Sequence, residues 1–88
     1  MDVTDNHGER RFELPTDAGP AIAAYEIDGD TITFTHTVVP DEAEGQGVGG
    51  RLIAGALADA RARGLKVVPA CSFVAAYLKR HPEVATLA

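Results

Sequence analysis

Cys71 is the only cysteine in this 88-residue chain. It stands where a strand-like run, Leu65-Lys66-Val67-Val68-Pro69, gives way to a helix-like one. A thiol at a helix start meets free N–H groups and the positive end of the dipole, and both favour the nucleophilic thiolate. The competing reading is a small buried hydrophobe, a common fate of free cysteine. His36 carries an imidazole that titrates near neutral pH and can act as a base. It alternates with Ile32, Phe34 and Val38 along one strand face, where a lone histidine also serves as a hydrogen-bonded structural residue. Tyr77 shares an apolar helical stripe with Phe73, Val74 and Leu78. That stripe is expected to bury its ring, and a buried hydroxyl still needs a partner. His81, Lys79 and Arg80 close the same helix, where positive charge suits the dipole, and His7 takes no role.

Between these side chains lies a glycine cluster. Gly45, Gly47, Gly49 and Gly50 fall within six residues, after Val38-Val39-Pro40 and before Arg51-Leu52. Each glycine inside a helix costs about 1 kcal/mol relative to alanine, so four at a helix start need a reason. Unpaired N–H groups there, with the dipole, hold phosphate. The segment contains G-x-G-x-x-G, yet no acid stands about 20 residues on to bind a ribose. Nor is it a P-loop, because Arg51-Leu52 replaces Lys-Ser/Thr. A tightly packed glycine turn is the structural alternative.

The elements that must position these groups are legible from periodicity. Residues 10–14, 21–27 and 31–39 alternate as strands, the last two joined at Asp28-Gly29, a strong hairpin signal. A helix is expected over 47–63, with Leu52, Ile53, Ala56, Leu57 and Ala60 on one face and Gly64 as its C-cap. Gly49 shares that face, where it would let the helix start approach the sheet. A strand over 65–68 and a helix over 73–80, with Ser72 as N-cap and His81-Pro82 as its stop, complete the order β-β-β-α-β-α. Residues 1–9 are polar and aperiodic, and a frayed or disordered N-terminus is expected there. The fold class is therefore α+β, a single domain over 10–88. Its sheet is mixed and mostly antiparallel, with the last strand parallel to its neighbour through a right-handed crossover.

Charge separates the two halves. Residues 1–44 hold 11 acids and 2 bases, giving −9, whereas residues 45–88 hold 2 acids and 6 bases, giving +4. The half that begins at the glycines suits an anion, while the net −5 argues against a nucleic-acid partner. The absence of a membrane-length apolar run or secretory signal argues for a cytoplasmic protein with no membrane partner. A lone cysteine provides neither an internal disulfide nor a Cys-rich metal site, and no metal is expected.

The strand, glycine loop and helix resemble the coenzyme A site of the GNAT superfamily of N-acyltransferases, whose pattern is Arg/Gln-x-x-Gly-x-Gly/Ala. Here it reads Glu44-Gly45-Gln46-Gly47-Val48-Gly49. With His36-Thr37-Val38-Val39-Pro40, Pro69-Ala70-Cys71-Ser72-Phe73 and Tyr77-Leu78-Lys79-Arg80-His81-Pro82-Glu83, the likeness covers roughly residues 10–85 and points to a minimal subgroup of short GNAT-like domains. The resemblance implies acetyl-CoA as acyl donor and an amine or protein acceptor; a monomer or weak homodimer is expected. It also implies a splayed gap between the strands over 31–39 and 65–68 for the pantetheine arm. Val38, Val39, Gly45, Gln46, Gly47, Val48, Gly49, Gly50 and Arg51 would then bind the coenzyme. Cys71 would lie near the thioester, Tyr77 would protonate the departing sulfur, and His36 would serve as base. Glu44 departs from the pattern, placing a carboxylate near the phosphates, with Gln46 or Arg51 as substitute donors. A coenzyme-binding or protein-interaction module without efficient chemistry is the alternative.

Overall fold

The computed structural model describes residues 3–88. Five strands form one sheet in chain order: β1 Thr4–Asn6, β2 Arg11–Leu14, β3 Ala21–Asp28, β4 Thr31–Val38 and β5 Lys66–Pro69. All neighbours are antiparallel except β4 and β5, which run parallel. Helix α1, Val48–Ala62, makes that crossover, and α2, Ser72–Arg80, follows β5. The order is thus β-β-β-β-α-β-α, one strand more than the periodicity indicates. The extra strand falls in the segment expected to be frayed. Thr4, Asp5 and Asn6 pair with Glu13, Phe12 and Arg11; Met1 and Asp2 of that segment lie outside the described residues.

Alternation on β2 and β3 places Phe12, Leu14, Ala21, Ala23 and Tyr25 on the inner face. The β3–β4 hairpin closes on Asp28 opposite Thr31, so its two loop residues are Gly29 and Asp30, one position beyond the expected pair. Helix α1 lays Leu52, Ile53, Ala56, Leu57 and Ala60 across this face, every one at most 1% exposed. Its end is a Schellman cap: the N–H of Leu65 bonds the Ala60 carbonyl at 2.9 Å and that of Gly64 bonds Arg61 at 3.0 Å. Val74 and Leu78 of α2 complete the single core. Among the described residues no helix is long and apolar enough to cross a membrane.

Two irregularities break the sheet where β4 runs beside β5. The first is a bulge in β4. Ala24 pairs with His36 and Tyr25 with Phe34, leaving Thr35 as an extra residue. An extra residue reverses the alternation beyond it. Ile32 and Phe34 are fully buried, but the next inward position is Thr37, opposite Ala23. His36 and Val38, expected beside Phe34, turn to the other face, and Val38 is 50% exposed. The second is the early end of β5. Its pairing with β4 stops at Phe34–Pro69, and the N–H of Cys71 then bonds the Phe34 carbonyl at 2.9 Å. The last half of β4 continues without a strand neighbour on that side.

Candidate active site

A groove of about 380 Å³ opens where β4 runs past β5. Thr37 and Val39 form its strand wall, Ala43, Glu44 and Gly45 its loop wall, Gly47, Val48, Gly49 and Gly50 the helix start, and Phe73 its far side. Gly47 is the N-cap of α1 and sits at φ 75°, a conformation that strains any residue with a Cβ. It carries no side chain that could cap the helix. The first helical bond runs from the Arg51 N–H to the Gly47 carbonyl at 3.1 Å. The N–H groups of Val48, Gly49 and Gly50 precede it and have no intrahelical partner. They form a donor cluster at the positive end of a 15-residue helix.

Gly49 plays a different part from the one expected. A Cβ there would lie 2.4 Å from Cζ of Phe73. The missing side chain therefore lets α1 approach the Phe73 ring at the start of α2, rather than the sheet. Of the remaining expected binders, Gln46 turns its amide to the Glu42 carbonyl at 3.3 Å, and neither it nor Arg51 or Val38 lines the groove. Glu44 does line it. The site thus fits a pyrophosphate in its N–H donors and opposes one in a single carboxylate.

Cys71, 8% exposed, is itself the N-cap of α2, a position expected for Ser72. Its Sγ lies 3.3 Å from Oγ1 of Thr37. Burial pushes the thiol up; the Thr37 hydroxyl and the N–H groups of Val74, Phe73 and Thr37 pull it down, and the net value falls below the ordinary thiol range. Those helix N–H groups favour the anion without forming a capping hydrogen bond of ordinary geometry.

The other two expected catalytic residues are not brought to this point. His36 is exposed across the sheet beside Thr35, Ala24 and Arg10. Tyr77 lines a separate depression with Ala54, Ala58, Arg61 and Val84, its ring 4.6 Å from that of His81. Thr37 and Phe73 take the places that sequence reasoning gave to others. Phe73 belongs to the motif that carried the resemblance, whereas nothing local in Thr33-Phe34-Thr35-His36-Thr37 marks the bulge that turns Thr37 inward.

Strand, glycine-started helix and groove together define a small α+β domain with an open cleft between a helix start and a sheet edge. A family model described as GCN5-related N-acetyl-transferase matches residues 11–87. The chain belongs to that family. A search of curated proteins gives no match.

Proposed function

We propose that the domain transfers an acetyl group from acetyl-CoA to an amine, free or on a peptide. The observation that carries this reading is the groove, in which the first turn of α1, Val48 to Gly50, lines the same space as Thr37, the strand residue beside Cys71; first-turn N–H groups have no intrahelical carbonyl to bond. Val48, Gly49 and Gly50 would hold the pyrophosphate, and the pantetheine arm would follow Val39 toward Thr37. Acetyl-CoA supplies an activated acyl group as substrate; the chain supplies position and a nucleophile.

Cys71 is better placed than Tyr77 to take part. In the covalent route its thiolate attacks the thioester carbonyl, coenzyme A leaves as thiolate, and the acceptor amine then displaces the cysteine sulfur while losing a proton. In direct transfer the amine attacks the bound thioester and Cys71 only lines the pocket. Calorimetric titration with acetyl-CoA, followed by thiol release over amine and peptide acceptors, tests the function. Binding and acceptor-dependent release are expected; no binding overturns it, and binding without release leaves only a coenzyme-binding module. Intact-mass analysis then separates the routes. An acetyl adduct absent from Cys71→Ala supports the covalent one, and normal turnover by that variant rejects it.

A further inference from the structure

Among the described residues, the groove has only two polar side chains in its lining. One is Glu44, at the loop, and the other is Thr37, at the strand. Thr37 touches both the open space and the sulfur that lies behind it, since Cys71 itself does not line the groove. This placement is a product of the bulge at Thr35, because regular alternation would turn Thr37 to the opposite face.

We propose that Thr37 is the positioning residue of this site: its hydroxyl seats the Cys71 sulfur at the groove wall and serves both of its protonation states. With the thiol, Sγ–H donates to Oγ1; with the thiolate, the rotated Oγ1–H donates to sulfur. A hydroxyl can make that exchange, whereas the backbone N–H groups of Phe73 and Val74 can only donate. The leading influences on the thiol are all uncharged: burial, this hydroxyl and three backbone N–H groups. Among charged or titratable groups on the surrounding elements, Glu44 lines the groove beyond Thr37, His36 of β4 faces away, and Lys66 of β5 is paired with Asp30. Arg51 of α1 and Lys79 of α2 are exposed and line neither wall. Among the described residues, Thr37 is thus the one side chain whose removal changes the sulfur's hydrogen bonding without changing the charge around it.

This inference adds to the proposed transferase reading but can be tested apart from it. Because Cys71 is the only cysteine, alkylation of the whole protein by iodoacetamide reports on that sulfur alone. The rate is followed against pH for the native chain, Thr37→Val, Thr37→Ser and Thr37→Ala, with circular dichroism as a check on folding. Valine keeps the branched shape and removes the hydroxyl. Its midpoint is expected to rise by about one pH unit, the scale of a lost hydrogen bond to a charged group. Thr37→Ala should show the same rise without the branched side chain, and Thr37→Ser should keep the native midpoint. Coincident native and valine profiles, or a serine profile displaced as far as valine's, overturn the assignment. Acetyl-CoA titrated into the same proteins keeps the two ideas distinct. A shifted midpoint with no coenzyme binding supports Thr37 and removes the transferase reading; binding with an unmoved midpoint does the reverse.

Discussion

Gly49 shows how one absent methyl group can matter at the residue scale. The Phe73 ring occupies the space its Cβ would need, yet Phe73 is 39% exposed, so it is not held on every side. Gly49→Ala gains about 1 kcal/mol of helix propensity and meets an overpacking cost of about 1–3 kcal/mol. The cheapest relief is to displace Phe73, which is a wall of the groove. The expected result is a loss of acetyl-CoA affinity of about tenfold, with a melting temperature within a few degrees of native. Titration calorimetry and a thermal melt decide it: a collapsed melting temperature with intact affinity in the folded protein would make Gly49 a packing residue only. The glycines and Cys71 were legible in the sequence because backbone demands and helix starts leave local marks. His36 was misplaced because a bulge is decided by pairing with β3, and no residue of β4 announces it.

At the scale of elements, β1 is the strand that periodicity missed. Thr4, Asp5 and Asn6 offer neither apolar alternation nor β-branched density, so the local sequence argues for a tail. Distant partners hold it instead. Val3 packs against α1 where Gly55 has no side chain, and a Cβ there would lie 2.7 Å from the Val3 Cβ. Gly55→Ala should therefore unseat β1, destabilising the fold by roughly 1–2 kcal/mol after the gain in helix propensity. Chemical denaturation measures that loss, and hydrogen exchange should show it concentrated in residues 4–6. Adding Val3→Ala should return much of the stability. If the double variant is no more stable than Gly55→Ala alone, the contact between β1 and α1 does not limit stability. The remaining strands and both helices were legible because each buries a periodic apolar face, whereas β1 is specified by contacts far away in the chain.

For the molecule as a whole, the acidic first half and basic second half meet in one cluster. Asp5 of β1 accepts the Tyr25 hydroxyl of β3 at 2.5 Å and pairs with Arg63, just beyond α1, at 3.0 Å; Arg63 also reaches Asp59 at 3.0 Å. Tyr25 is 4% exposed, and burial first, then its hydrogen bond to Asp5, pushes its phenol up to about 12. The native state therefore holds that proton more tightly than the unfolded chain, whose tyrosines titrate near pH 10. By linkage the associated stability is fully present below about pH 10 and is lost as pH rises toward 12. Solvent reaches the cluster through the part-exposed Arg63, so the loss is on the order of 1–2 kcal/mol rather than the full value of the shift. Tyr25→Phe has no proton to lose. It should cost about 1 kcal/mol near neutral pH through the missing hydrogen bond, and then decline less steeply than the native protein above pH 10. Denaturation midpoints measured across pH 8–12 for both proteins test this, since lysine titration is common to the two and cancels in their difference. Curves that stay parallel throughout would show that Tyr25 does not link the two halves to pH.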